Sequence, residues 1–143
     1  MLHSVGGRAT VVGTSLRAIA SLFASATFGA RVREVGVCNT TSTAVTVALA
    51  EFGSATNVGA GLTEVNEDIN PTQCTAFAGH TADGASVGQA FRQLTLPAAV
   101  GATIVWTFSE GGFLIPIGTA NGLGIIVPTG TGQICDFWFK WEE

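Results

Sequence analysis

The side chains able to do chemistry in this chain are few and scattered. It has two histidines, His3 at the terminus and His80 in a Gly/Ala/Thr-rich loop. Asp83 and Ser86 follow His80 closely, so a Ser/His/Asp set can be drawn on paper. Triads are defined by roles in three dimensions, however, and no Gly-x-Ser-x-Gly elbow presents a serine here. His80 is therefore expected to be a solvent-facing or interface residue, and the chain is expected not to be an enzyme. Glu64, Glu67 and Asp68 form the one carboxylate cluster. Calcium takes oxygen ligands from such loops, but the EF-hand spacing is missing, so a solvated turn without metal is expected. The glycine-rich run from Gly118 to Gly124 lacks a following Lys-Ser/Thr and reads as turn chemistry, with no cofactor. Asn39-Thr40-Thr41 matches a glycosylation sequon, which matters only in a secreted eukaryotic protein.

Three cysteines, Cys38, Cys74 and Cys135, are widely spaced and form no Cys-x-x-Cys or Cys/His cluster. Cys38 and Cys135 sit in strand-like runs, where a free thiol acts as a small hydrophobe. Reduced thiols and assembly in a cytosol are expected, with one disulfide plus a spare thiol as the alternative.

The 143 residues read as one domain large enough to bury a core. Charged residues make up 11%, where about 25% is usual. A monomer of this size exposes roughly 6,900 Å², or about one charge per 430 Å². So sparse a charge cover implies apolar patches that another chain buries, hence an obligate oligomer or assembly component. Net charge is −4, and Arg31 with Arg33, on one strand face at period 2, is the nearest thing to a basic cluster. Two arginines make no nucleic-acid footprint.

The elements that must carry these residues are strands. From Arg17 to Ala30 the sequence looks like a signal-peptide core with an Ala24-Ser25-Ala26 cleavage site. Arg17 interrupts it, and about six strongly apolar positions fall short of the usual seven. Residues 16–25 are expected to be a strand with two partly apolar faces, after a first candidate strand over 9–12. The longest uncharged stretch, 111–135, holds too many glycines and prolines for a membrane helix. Arg31–Asn39 and Ala44–Phe52 flank an Asn/Thr/Ser turn and read as a hairpin. Short strands follow over 62–65, 74–78, 89–96, 103–108 and 113–117. Asn121-Gly122 signals a type I′ turn before Leu123–Val127. The last run, Gln133–Trp141, puts Cys135, Phe137, Phe139 and Trp141 on one face and Ile134, Asp136, Trp138 and Lys140 on the other. The expected fold is all-β, an antiparallel β-sandwich of jelly-roll type with about eight to ten strands. Residues 1–15 are expected to be an N-terminal arm reaching a neighbour, and 16–143 the single sandwich domain.

Several runs carry a family resemblance. They are Val32 to Leu49, Gly118 to Ile126, and Gly130 to Glu143 with its Ile134-Cys-Asp-Phe-Trp-Phe-Lys-Trp141 core. These segments resemble small structural proteins of tailed-phage head gene clusters, over about residues 31–52 and 90–143. The resemblance implies a capsid cement or decoration protein of the virion. It would be assembled in the host cytoplasm, trimerise, and bind the major capsid protein. Arg8, Arg17, Arg31, Arg33, Trp138 and Trp141 are expected at interfaces. Nucleic acid and membrane are not expected partners. A tail or baseplate β-module is the nearest alternative. A carbohydrate-binding jelly roll using Trp138 or Trp141 is an alternative of another class, although large aromatics more often fill cores and interfaces.

Overall fold

In a computed structural model, residues 1–10, 17–56, 58–68, 70–84 and 86–143 are described, and they contain twelve strands and no helix. The strands are β1 (Leu2–Ala9), β2 (Ala18–Phe23), β3 (Ala30–Asn39), β4 (Val45–Phe52), β5 (Ala60–Gly61), β6 (Val65–Asn66), β7 (Thr75–Ala78), β8 (Val87–Leu96), β9 (Ala102–Thr107), β10 (Phe113–Ile115), β11 (Gly122–Ile126) and β12 (Cys135–Glu142). They form two six-stranded sheets. One runs β10-β3-β12-β1-β6, with β9 also against β3, and the other runs β5-β7-β2-β11-β4-β8. All pairings are antiparallel. The expected all-β antiparallel architecture is what the chain adopts. Its strand count exceeds eight to ten because β5, β6 and β10 are only two or three residues long.

The connectivity is that of a folded two-stranded ribbon. β1 pairs with β12, β2 with β11, β3 with β9 and β10, and β4 with β8. The ribbon then doubles over, so that β12 also pairs with β3 and β11 with β4. Between the sheets lies one core. β12 alternates strictly, turning Cys135, Phe137, Phe139 and Trp141 inward against Ile19, Leu22, Val47, Leu49, Leu123 and Ile125 of the other sheet. Each such side chain contributes about 1.5–3 kcal/mol by leaving water. A second cluster, Ala18, Phe23, Ala48, Ala50, Phe52 and Ile126, covers the outer face of β2, β4 and β11. Every residue of β2 is consequently buried, which is why Ala18–Phe23 is apolar in both phases of its alternation.

Two local expectations are corrected. β3 and β4 do not form a hairpin, because they lie in different sheets. The chain crosses between sheets at Thr40–Ala44. Asn39 holds that corner, its Nδ2 donating to Thr43 O at 2.7 Å and to Pro97 O at 3.2 Å. Asn121-Gly122 is not a type I′ turn, since neither residue has positive φ. Asn121 instead closes the 118–121 turn through its N–H to Gly118 O and its Nδ2 to Ile117 O. Gly122 is required because a Cβ there would sit 2.6 Å from the Phe23 ring.

The residues expected to be an arm are also placed differently. Leu2–Ala9 pairs along its full length with β12, and Val5 and His3 are buried. The local sequence is glycine-rich and weakly alternating, so the strand is fixed by its long-range partner. Of the expected strand over 9–12, Ala9 ends β1, while residues 11 and 12 and the start of the strand expected over 16–25 lie outside those described.

Candidate functional site

His80 is not the solvent-facing loop residue expected. It is 4% exposed, with Nε2 at 2.7 Å from Oγ of fully buried Ser21 and its ring edge-on to Phe52 at 5.5 Å. Backbone bonds from His80 N–H to Ala18 O and from Gly79 N–H to Ile19 O lay the loop along β2. His80 Nδ1 is buried without a hydrogen-bond partner. Burial therefore pushes the imidazole down to about 4, so it is neutral at physiological pH. Asp83 lies 3.7 Å from Arg17, and the Ser86 carbonyl accepts from Gly53 N–H. The triad drawn from sequence is thus not assembled. The serine that meets His80 stands 59 residues away, a pairing that no local motif announces.

The acidic cluster disperses in the same way. Glu64 accepts from Ala76 N–H, Glu67 lies 3.4 Å from Lys140 Nζ, and Asp68 accepts from Leu2 N–H. Among the described residues no three His, Cys, Asp or Glu side chains converge as a metal site. Cys38, Cys74 and Cys135 are free thiols. Burial pushes Cys135 up to about 11 and Cys74 higher still, so both are poor nucleophiles. Asn39 of the sequon is buried and its amide is engaged at the sheet corner.

One polar constellation was not anticipated. Burial alone would raise the Glu143 carboxyl. Donors from Thr72 Oγ1, Gln73 N–H, Cys74 N–H and Trp141 Nε1 bring it down to about 2 instead. The Glu143 N–H also donates to Met1 O. The carboxylate ties the end of β12 to the segment before β7, and the backbone N–H ties it to Met1 ahead of β1.

The residues expected at an interface separate into three groups. Trp141 is fully buried in the core, tilted against His3 at 5.7 Å between ring centroids. It is therefore not a surface residue of this chain, since strict alternation along β12 turns it inward. Trp138 faces outward. Its indole covers Gly36 on the neighbouring β3, where a Cβ would overlap the ring, and its Nε1 donates to Glu34 at 2.6 Å. The arginines are engaged within the chain. Arg8 forms a forked contact with Asp136 (2.5 and 2.9 Å) and Arg33 pairs with Glu142 (2.7 Å). Hydrogen bonding from these guanidiniums holds both carboxyls below their usual range. Arg31 and Arg33 also donate to the carbonyls of Gly111 and Glu110, so both clamp the β9–β10 turn.

What the surface offers instead is apolar. At one end of the sandwich, Phe28, Leu114 and Ile117 are 45%, 51% and 60% exposed around a groove of about 720 Å³. On the outer face of the β1-containing sheet, Val100, Val105 and Ile134 are likewise open to solvent. The total surface of 6347 Å² carries 16 charged side chains, about one per 400 Å². Compared with known proteins, the chain matches no family model, no curated protein and no solved structure.

Proposed function

We propose that this protein is a virion structural component, a capsid cement or decoration protein that trimerises and binds the major capsid protein to stabilise the head. The observation that carries the proposal is the open apolar groove at the end of the sandwich, in a chain whose cations are mostly spent internally. Four of its six basic side chains form ion pairs with its own carboxylates. Monomers rarely leave contiguous apolar patches uncovered. The ribbon of eight longer strands supports a jelly-roll reading, the winding with two Greek keys, and the resemblance to phage head proteins favours the same fold. Binding alone supplies the stabilisation, because contacts made only in the assembled state shift the equilibrium toward it.

Immuno-electron microscopy of virions with antibody against this chain tests the proposal. Label over heads is expected. Label confined to tails transfers the protein to a tail or baseplate, and virions without the chain overturn a virion role. The sugar-binding reading loses Trp141, which is core, and keeps Trp138 with its indole N–H already engaged.

A further inference from the structure

Among the described strands, β8 is the longest on an open sheet edge. It runs ten residues and pairs with β4 alone. Arg92 is its one charged residue. A straight edge of that length and so little charge is a template on which a second copy can extend the sheet. β8 is not straight. Its register slips between the pairs Val47–Leu94 and Leu49–Phe91, and again between Ala50–Ala90 and Phe52–Val87. In each interval β8 advances further than β4, so it carries two bulges. Arg92 lies in the first of them with φ 52°, the one positive φ of a non-glycine residue among those described. Left-handed backbone is unfavourable for a bulky side chain and persists where the surroundings fix it. Here the guanidinium sits 5.4 Å from the centroid of the Phe108 ring. Phe108 packs on Phe113, and Phe91 stacks on Phe113 at 5.2 Å. Phe108 follows β9 and Phe113 opens β10, so this ring cluster bridges the two sheets and Arg92 caps it. The extra residue also keeps Leu96 in phase with Phe91, both packed in the core. A glycine would meet that need without strain, so packing leaves the arginine unexplained.

We propose that Arg92 and its bulge guard this edge against sheet growth. The bend takes the outward backbone groups of β8 out of line, and the strand's one charge stands exposed at the same point. A second copy therefore meets no continuous row of donors and acceptors to pair with. The ring cluster supplies the anchor that holds the bend in place. Contacts between copies are then left to side-chain surfaces, which can close, and are denied to the sheet edge, where growth is open-ended.

Sedimentation and amide infrared spectra test this on the natural chain, Arg92→Gly, Arg92→Val and Arg92→Val/Gln93→Lys, each held well below its own melting temperature. Glycine keeps the left-handed backbone, whereas a β-branched side chain opposes it. Arg92→Gly should stay as soluble as the natural chain. Arg92→Val should lose most of its soluble protein to large aggregates with the infrared band of intermolecular antiparallel sheet. Lysine in place of exposed Gln93 returns a charge to the edge without the bend and should restore solubility. If Arg92→Val does not melt cooperatively, Arg92→Ala takes its place with milder strain and the same expected results. Equal aggregation of Arg92→Gly overturns the role of the bend. Aggregation that the added lysine does not relieve overturns edge pairing as its cause. An Arg92→Val protein as soluble as the natural chain overturns the guard altogether.

Discussion

Ser21 and His80 show how a buried polar pair ties stability to pH. In the unfolded chain a histidine titrates near 6.5, whereas His80 in the fold is held at about 4 by burial. The folded state therefore binds fewer protons across that window, and stability rises with pH through it. The contribution is complete above about pH 6.5 and fades as pH falls toward 4. Unfolding free energies measured from pH 7.5 to 4 should drop by about 3 kcal/mol from this group, and His80→Asn should remove that part of the slope. A slope unchanged in the variant would contradict the buried neutral imidazole. Glu143 acts lower on the scale. Its folded value of about 2 lies below the ordinary 4.5, so its contribution is present above pH 4.5 and lost as pH falls toward 2. Glu143→Gln leaves several donors poorly matched and should cost about 1–2 kcal/mol at pH 7, read by denaturant unfolding. Gly36 is a packing position. Gly36→Ala should lift the Trp138 indole off β3, lower stability by about 1–3 kcal/mol and red-shift tryptophan emission. Emission and stability both unchanged would show that the indole does not lie on Gly36. None of these residue roles was legible locally. The partner serine of His80 is far away in sequence, and three donors to Glu143 come from the distant segment Thr72 to Cys74.

At the scale of elements, β1 decides between two pictures of the N-terminus. As a free arm, residues 1–9 would be dispensable for folding. As a strand between β12 and β6, they cover one whole edge of β12 and bury Val5. Removing residues 1–9 should therefore strip a row of backbone hydrogen bonds and open the core beside Phe139 and Phe137. Their partners across the sheet are Val5 and Gly7. The shortened chain is expected to lose cooperative unfolding or to aggregate through the bared edge of β12, as seen by circular dichroism and sedimentation. A shortened chain with the natural melting temperature would contradict the strand. The strands that were legible owe it to strong local pattern. In β12 the alternation from Cys135 to Trp141 is unmistakable, and β9 shows the same with Ile104 and Trp106, continued by Phe108 just after it. β1 was illegible because Gly6, Gly7 and Ser4 carry almost no period-two signal. The β3–β4 hairpin was misread for a different reason. Two β-type runs around an Asn-Thr-Thr turn look alike whether they pair or pass into opposite sheets. The difference lies in β4 taking its place between β11 and β8, with Val45, Val47 and Leu49 in the core and Ala48, Ala50 and Phe52 in the second cluster.

For the whole molecule, the two-sheet ribbon explains how so few charges suffice inside the chain but not outside it. The core and the second cluster absorb the apolar runs of β2, β4, β11 and β12. Internal ion pairs take up Arg8, Arg17, Arg33 and Lys140. What remains at the surface is apolar, above all the groove of Phe28, Leu114 and Ile117 at one end of the sandwich, with Val100, Val105 and Ile134 open on the outer face of the β1-containing sheet. The low charge in the sequence pointed to such a surface. Its position did not follow from any local pattern, since Phe28, Leu114 and Ile117 come from two distant segments. The proposed role as a self-assembling virion component requires that this surface be covered. The most direct test is the mass of the protein in solution at micromolar concentration, measured by light scattering. A trimer of about 44 kDa, three times the 14.6 kDa chain, is the predicted result. A persistent 14.6 kDa monomer across the whole concentration range would contradict it.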